Sequence, residues 1–312
     1  MLELKEITKE DEVLFCEFEK KYKAACGKEK IPFVLNPQNL TFSNFLKELE
    51  KYKHKDTLPE GFVLANYYLI YVDNRIVGGI NLRMDTNEPI LNYAGHIGYG
   101  IAPWERNKGY AKTALKKILL LGLDVGMKDF LLTTDIQNIA SQKVILSCGG
   151  ILDRTFNKMN YYWIHLSDYK VEESAMALVF YNDKILTTKE LIYGKEVISC
   201  PKGHIEVSEM PIDAAIRECF EETNIEITRK NYLLDAKPFV IQFIDHHYQP
   251  IKKTIYPICF KVMKQGNPKV KEERVLEIKY MDIEEFFINC SYENIKEMVK
   301  NSLEMIKTKG IK

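Results

Sequence analysis

The sequence predicts two domains in series, of the α/β and α+β classes. The chain has 312 residues, which is more than one compact core usually contains. Strand and helix patterns alternate through the first half, and the pattern starts again with a new hairpin after the short polar segment 167–170. We therefore expect a first domain over residues 1–167 and a second domain over residues 171–312.

The composition is that of a soluble globular protein, with 46% hydrophobic and 28% charged residues. Lys+Arg and Asp+Glu each number 44, so the overall charge gives no reason to expect a nucleic-acid or membrane partner. The seven cysteines are scattered and never in CxxC spacing, which argues against a disulfide framework and a zinc knuckle. The N-terminus is charged where a secretory signal would be apolar. These features predict a cytoplasmic protein.

Hydrophobic periodicity predicts the elements of the first domain. Strands are expected at 67–72, 76–82, 95–101, 130–134, 151–155 and 161–166. Helices are expected at 111–125 and 139–147, and the second helix stops at Gly149-Gly150. The segment 25–59 is expected to form loop and short helix. The second domain should open with a hairpin of strands at 175–181 and 184–188.

The most informative stretch of the second half places three glutamates on one predicted helix. Pro211 and Asp213 mark the start of this helix. Glu218, Glu221 and Glu222 stand at positions i, i+3 and i+4, so they crowd one helix face. Like charges this close repel each other, and hard divalent cations such as Mg²⁺ prefer oxygen ligands. A bare ExxEE is most often a solvated acidic face, but the surrounding spacing favours a metal site.

That spacing, G-x5-E-x7-R-E-U-x-E-E-x-G-U, resembles the Nudix box at every position but one, because Asn224 stands where the family has glycine. Asn is the residue best able to replace glycine in a left-handed helix end. The resemblance covers about residues 171–306 and implies a mixed-sheet α/β/α sandwich that hydrolyses a nucleoside diphosphate linked to another group. It implies that Mg²⁺ or Mn²⁺ is held by Glu218, Glu221, Glu222 and Gly203. It also implies that Arg217 pairs with Glu209 as part of the catalytic set.

Further candidates lie around the box. The stretch 201–206 resembles the PKGH segment of dinucleoside polyphosphate hydrolases. Candidates for contacts with substrate phosphate are therefore Lys202, His204, and either Lys252 or Lys253. The alternatives are a solvent-facing lysine and a structural histidine. Some Nudix enzymes use a base outside the box, and the sequence leaves Glu272, Glu273 and Glu277 open for that role.

The first half carries a candidate pyrophosphate cradle, in which Arg106-x-x-Gly109-x-Ala111 joins a predicted strand to an apolar helix. Glycine and alanine let the backbone approach a ligand closely, and the N–H groups of a helix N-terminus attract phosphate. The alternative is a plain β-to-α turn. The stretch resembles motif A of the GNAT N-acetyltransferases, and residues 138–150 resemble their motif B.

The GNAT resemblance covers about residues 1–166 and implies a mixed sheet with flanking helices, splayed between Ile101 and Phe130, with acetyl-CoA in the gap and an amine as acceptor. The implied cofactor-binding residues are Tyr99, Ile101, Arg106, Asn107, Lys108, Gly109, Tyr110, Ala111 and Asn138. Many family members have a tyrosine seven residues after that Asn as the acid for the departing thiolate, and Ile145 stands there instead. His96 is a candidate base, or alternatively a structural histidine at a strand end.

Two functional hypotheses follow. The first is a bifunctional enzyme that combines metal-dependent pyrophosphate hydrolysis with acetyl-CoA-dependent N-acetylation. The second is a nucleotide-sensing regulatory protein whose first half binds acetyl-CoA but catalyses weakly. The intact REUxEE sequence favours catalysis in the second half, while the missing tyrosine keeps the regulatory alternative open for the first half.

Overall fold

A computed structural model of the chain describes residues 2–26, 40–192, 194–270 and 273–310. The chain divides into two compact units, the first comprising Met1–Tyr169 and Phe243–Pro250, and the second Lys170–Gln242 and Ile251–Lys312. Each unit combines helices with β-sheet, which confirms the predicted fold class. Among the described residues, no helix is long and apolar enough to cross a membrane.

The first unit contains two separate sheets. Its strands are β1 (Leu2–Glu6), β2 (Ala65–Val72), β3 (Arg75–Arg83), β4 (Ile97–Ile101), β5 (Asp129–Asp135), β6 (Ile151–Phe156) and β7 (Met159–His165). Strands β1 to β4 form an antiparallel sheet in the order β1-β2-β3-β4. Strands β5 to β7 form a second antiparallel sheet in the order β5-β7-β6.

The helices of this unit cover both faces of the first sheet. They are α1 (Glu12–Cys26), α2 (Phe42–Lys51), α3 (Tyr110–Asp124) and α4 (Ile139–Leu146). Leu115 and Ile118 of α3 pack in one core with Ile80 of β3 and Phe130 of β5. The approach is so close that a Cβ on Gly122 would lie 2.4 Å from the Phe130 ring. On the opposite face, α1 and α2 supply a second, aromatic-rich core.

The two sheets are joined next to β4 by one histidine. The backbone N–H of His96 donates to the carbonyl of Leu131 at 2.6 Å. The N–H of Leu131 donates in return to His96 Nδ1 at 2.8 Å. Strands β4 and β5 themselves belong to different sheets. The predicted splay between Ile101 and Phe130 is thereby confirmed.

The second unit is a sheet between helices. Its strands are β8 (Lys170–Tyr181), β9 (Lys184–Ile192), β10 (Lys195–Ser199), β11 (Lys202–His204), β12 (Tyr232–Asp235), β13 (Phe239–Ile244), β14 (Pro250–Lys261) and β15 (Val275–Asp282). Its helices are α5 (Pro211–Thr223), α6 (Ile283–Asn289) and α7 (Glu293–Thr308). The main path is β10-β9-β8-β14-β12, in which β8 and β14 run parallel.

Alternate residues of β8 pack against opposite helices. Ala175 and Ala177 share a core with Ala215 of α5, while Met176 and Leu178 share a core with Val299 of α7. This alternation follows from the two-residue repeat of a strand, and it produces the predicted α/β/α sandwich. The polar segment predicted as the boundary ends where β8 begins. Within the segment 25–59, the structure shows α2, and residues 27–39 lie outside the described ranges.

Candidate active sites

Helix α5 begins and ends where its sequence predicts. Pro211 occupies its first turn, where the missing N–H is not needed. The helix ends at Thr223, and Asn224 follows in the left-handed conformation at φ 61°. Asn224 therefore does what the family glycine does. Ala215 and Cys219 are fully buried, which fixes the helix on the sheet and its acidic face toward the loop before it.

Arg217 ties this loop to the helix. Its Nε and Nη2 donate to the two carboxylate oxygens of Glu209 at 3.0 and 2.9 Å, as the motif predicts. Nη2 also donates to the carbonyl of His204 at 2.8 Å. Its Nη1 donates to Glu218 at 2.8 Å and to Glu221 at 3.0 Å. One guanidinium thus neutralises the loop carboxylate and bridges two of the three box carboxylates.

Glu218 lies directly against the backbone of β11. A Cβ built on Gly203 would lie 1.8 Å from the carboxylate carbon of Glu218. The glycine at this position is therefore required by the close approach of the carboxylate, independently of any backbone conformation. Gly203 and Glu218 are therefore in direct contact at the acidic site.

Glu222 is the buried member of the three, with a relative exposure of 2%. Its carboxylate accepts the backbone N–H of Lys202 at 3.1 Å and Nη2 of Arg274 at 3.1 Å. Burial raises the pKa of Glu222 to about 7, and Lys202 and Arg274 offset only part of this rise. Without a further cation, the charged form of Glu222 is therefore disfavoured.

Two residues of the site were missed by the sequence patterns. Glu190 of β9 is buried, and Lys202 Nζ lies 3.9 Å from its carboxylate. Arg274, just before β15, reaches Glu222. Glu190 and Arg274 are brought together by the pairing of β9 with β15, where the N–H of Leu191 donates to the Arg274 carbonyl at 2.9 Å. No local sequence signal marks either residue.

The three candidate bases outside the box have different outcomes. Glu272 lies outside the described residues. Glu273 and Glu277 are exposed, and no hydrogen bond or ion pair joins either of them to the box carboxylates. The residue from this region that touches the box is the cation Arg274.

A second charged cluster surrounds Glu172 of β8. His204 Nε2 lies 3.1 Å and Lys253 Nζ lies 3.0 Å from the same carboxylate oxygen of Glu172. Lys170 Nζ lies 3.0 Å from the other oxygen. Burial acts to raise the pKa of Glu172, but hydrogen bonds from Lys170, Lys253 and His204 outweigh it and lower the pKa to about 2. Of the two candidate lysines of β14, Lys253 is turned into this cluster and Lys252 is exposed.

The acidic site has the donors that a hard cation prefers. Among the described residues, no three His, Cys, Asp or Glu side chains converge as metal ligands do. Arg217 accounts for this arrangement, because its guanidinium already lies between Glu218 and Glu221. Two carboxylates that already bind a guanidinium offer a divalent ion the negative charge and the oxygen donors that it prefers.

The first unit has a cavity of about 940 Å³ where the ends of β4, α3 and α4 meet. It is lined by all but one of the predicted cofactor residues, namely Tyr99, Ile101, Arg106, Asn107, Gly109, Tyr110, Ala111 and Asn138. Lys108 is the exception, and its Nζ pairs with the buried Glu105 at 2.8 Å. Eight of the nine predicted cofactor residues thus line one cavity, and their role in binding acetyl-CoA stays a prediction.

The details of the cradle suit an anionic ligand. Gly109 is left-handed at φ 80°, precedes the first residue of α3, and has open space where a Cβ would be. Free N–H groups of the first helical turn therefore face an accessible site. Asn138 Oδ1 accepts the N–H of Ser141 at 3.1 Å and so caps α4. The side-chain NH₂ group of Asn138 makes no hydrogen bond to another described residue.

A smaller cavity of about 290 Å³ adjoins the first. The two cavities share the lining residues Tyr99, Asp135, Asn138 and Ser141. At this junction the hydroxyl of Tyr99 lies 3.0 Å from Ser141 Oγ. Ile145, at the position of the family tyrosine, lines the smaller cavity and is almost fully buried in the main core.

His96 is a structural residue. Its Nδ1 accepts the N–H of Leu131, so Nε2 carries the proton and donates to Thr86 Oγ1 at 3.1 Å. Burial lowers the pKa of His96, which keeps the ring neutral. Both ring nitrogens of His96 therefore make hydrogen bonds within the protein. This favours the structural role of His96 over the role of a catalytic base.

Comparison with known proteins identifies a family for each half of the chain. Residues 2–151 match the sequence model of the acetyltransferase (GNAT) domain, and residues 171–307 match that of the NUDIX domain. The chain is therefore a fusion of two domains that both come from families of enzymes. It carries an N-terminal GNAT acetyltransferase domain and a C-terminal Nudix domain, as the motifs predict.

Individual relatives match the Nudix half. The chain is 43% identical over 70 residues to the probable DHNTP pyrophosphohydrolase of Lactococcus lactis subsp. cremoris, covering 22% of this chain and 41% of that protein. It is 32% identical over 65 residues to the phosphatase NudJ of Escherichia coli K12, covering 21% of this chain and 42% of that protein. The chain thus spans less than half the length of these curated relatives.

Solved structures similar to this chain include a C. elegans Ap4A hydrolase in a binary complex, with 14% identity, a TM-score of 0.35, and coverage of 44% of this chain and 98% of that chain. Another is the E. coli dihydroneopterin triphosphate pyrophosphohydrolase, with 16% identity, a TM-score of 0.36, and coverage of 43% of this chain and 95% of that chain.

The raised pKa of Glu222 predicts how stability depends on pH in the absence of metal. A carboxyl group with a pKa of about 7 in the folded chain, against an ordinary 4.5, binds its proton more tightly when folded. Stability is therefore lost as pH rises from about 4.5 to about 7. In EDTA, Glu222→Gln should gain stability relative to wild type, by roughly 2–3 kcal/mol more at pH 8 than at pH 5.

Urea unfolding followed by circular dichroism measures this difference. The fluorescence of Trp104 and Trp163 comes from the first unit and serves as an internal control. An equal difference at both pH values would show that Glu222 ionises as readily in the folded chain as in water.

Proposed function

We propose that the chain is a bifunctional enzyme. Residues 171–312 hydrolyse the pyrophosphate bond of a nucleoside diphosphate linked to another group, with Mg²⁺ or Mn²⁺ as cofactor. Residues 1–167 transfer the acetyl group of acetyl-CoA to an amine. The observation that carries the first activity is the acidic face of α5, where the Arg217 guanidinium bridges Glu218 and Glu221 and the third glutamate, Glu222, is buried beside them. The observation that carries the second is the cavity built around the predicted cradle.

In the Nudix half, Glu218, Glu221 and Glu222, with the backbone of Gly203, would hold the ion. When bound, a divalent ion neutralises the diphosphate and makes hydroxide easier to form from water. Arg217 would keep the loop on the helix through Glu209, and its Nη1 would give up its hydrogen bonds to Glu218 and Glu221 when an ion is bound. Glu222 starts with a pKa near 7, and a neighbouring cation stabilises its charged form.

The cluster around Glu172 is a candidate site for the outer phosphates of the substrate. Lys253 and His204 meet at 3.2 Å, and both also contact the Glu172 carboxylate. A phosphate oxygen has the same charge and acceptor chemistry as that carboxylate, so it can take over these contacts. Lys202, which pairs with Glu190, is a further cation near the box. The names of the relatives add dihydroneopterin triphosphate to dinucleoside polyphosphates and nucleotide sugars as substrates for a first screen.

In the GNAT half, the pyrophosphate of acetyl-CoA would lie at the first turn of α3, next to Gly109 and Arg106. The pantetheine arm would then follow β4 toward the junction of the two cavities. Transfer forms a C–N bond between the amine and the acetyl carbonyl carbon and breaks the C–S bond. The amine loses one proton to solvent, and the departing thiolate takes up one proton.

Tyr99 is the residue best placed to supply that proton. Its hydroxyl lies at the junction of the cavities, 3.0 Å from Ser141 Oγ. Burial raises the pKa of Tyr99 to about 12, so the hydroxyl keeps its proton at neutral pH and remains a donor. Tyr99 of β4 thus offers the group that Ile145 of α4 lacks. Its presence favours the catalytic hypothesis over the regulatory one.

Glu222→Gln tests the hydrolase. In saturating Mg²⁺, the variant should lower kcat on the best substrate of the screen by at least about a hundredfold, or about 2.7 kcal/mol, because it removes a ligand charge without changing side-chain size. Glu226→Gln removes an exposed charge just beyond the same helix and should leave kcat unchanged. Wild-type turnover in the Glu222 variant would refute the proposed metal site.

Asn107→Asp tests acetyl-CoA binding. Asn107 lines the cavity with a positive φ of 63°, which Asp also tolerates, so the change adds a negative charge beside the pyrophosphate at nearly constant shape. Calorimetry should show binding at least about tenfold weaker, or about 1.4 kcal/mol. Asn157→Asp makes the same change in an exposed turn at φ 48° and should bind like wild type. Equal affinities for the wild type and both variants would show that acetyl-CoA does not bind at the cradle.

Tyr99→Phe tests the acid. The variant keeps the ring and loses the hydroxyl, so kcat for acetyl transfer should fall at least about tenfold while the Kd for acetyl-CoA changes little. Tyr93→Phe is the matched control, because Tyr93 is exposed and lines neither of the two cavities. A normal kcat in Tyr99→Phe would assign proton delivery to another group, such as water.

A further inference from the structure

The smaller cavity contains an arginine whose charge has no acidic partner. Arg83, the last residue of β3, lines this cavity. Its Nη1 donates to the carbonyls of Ala94 and Gly95 at 3.3 and 3.1 Å. Among the described residues, no carboxylate forms an ion pair with it. Burial lowers the pKa of the Arg83 guanidinium, as expected for a cation removed from water without a counter-ion.

An unsatisfied donor lies close to Arg83. Asn81 has a relative exposure of 4%, and its Nδ2 makes no hydrogen bond to a described residue. Asn81 and Arg83 point to the same face of β3, because they are two residues apart. Both lie over Gly98, where a Cβ would be 2.8 Å from Asn81 Oδ1 and 3.8 Å from Arg83 Nη1. Arg83 therefore supplies a partly buried cation at one end of the cavity, while Asn81 contacts Gly98 and is not among the lining residues.

The other end of the cavity has the opposite character. Asp135 lies at the junction with the larger cavity, together with Tyr99 and Ser141. Its Oδ1 accepts the N–H of Gln137 at 2.7 Å, and its carboxylate carries the negative charge of this end. A molecule that places an amine at the junction and an anion at Arg83 would match the charges at both ends.

We propose that the smaller cavity binds the acetyl acceptor, and that this acceptor is a small amine bearing a carboxylate. The carboxylate is held by Arg83, and the amine lies at the junction, where the thioester of acetyl-CoA would end. The volume of about 290 Å³ admits a molecule of amino-acid size and is too small for a nucleotide or a folded protein surface. This inference rests on the acetyl transfer proposed above.

The test compares free amino acids with their carboxamides as acceptors for the full-length protein, following release of CoA thiol. At neutral pH a larger fraction of the less basic amide amine is unprotonated and able to react, so a preference for the acid reports binding. We expect kcat/KM to favour acids at least about tenfold in wild type. Arg83→Gln should abolish this preference, and Arg83→Lys should restore part of it, because it keeps the charge without the planar fork. Lys117→Gln removes an exposed charge of α3 and should preserve the preference.

Calorimetric titration of each variant with acetyl-CoA shows whether the fold and the larger cavity are intact. Normal acetyl-CoA affinity in Arg83→Gln, with loss of the acid preference, supports the inference. Equal rates on acids and amides in wild type overturn it, as does an acid preference that survives in Arg83→Gln. Acetylation of neither set by a protein that binds acetyl-CoA also overturns it. Failure of wild type to bind acetyl-CoA instead overturns the proposed acetyl transfer itself.

Discussion

The first domain depends on the paired hydrogen bonds between His96 and Leu131. They join the two sheets at one point, and beyond that point β4 and β5 belong to separate sheets. Because the core under α3 is shared by both sheets, their separation opens a cavity without exposing the core. The smaller cavity lies next to this junction, where Ile97 and Leu132 line it. A neutral, buried histidine suits the role, since it accepts one backbone proton and donates another.

Local chemistry made much of this molecule predictable. Gly109 and Asn224 each occupy a left-handed position at a helix end, and such positions are legible in a sequence because few residues tolerate them. The periodicity of α3 and the spacing of the box glutamates are equally local. The predicted strands and helices of the first domain accordingly agree with the observed ones to within a few residues.

The remaining features depend on contacts between distant segments. Glu190 and Arg274 approach the box only because β9 pairs with β15, and nothing near either residue indicates that register. The same is true of Arg83. Its sequence context indicates only the polar end of a strand, and its place in the cavity depends on its contact with the loop before β4. Tyr99 is among the predicted cofactor residues, while the role proposed for its hydroxyl depends on α4, which supplies Ser141.

The bridge made by Arg217 between Glu218 and Glu221 has a consequence for how the Nudix site responds to its surroundings. The guanidinium is a tethered competitor that is always present at the same effective concentration, so a metal ion at the proposed site would have to displace it from these carboxylates. Such competition would lower the apparent affinity for the ion. The same ion pairs offset the repulsion between Glu218 and Glu221.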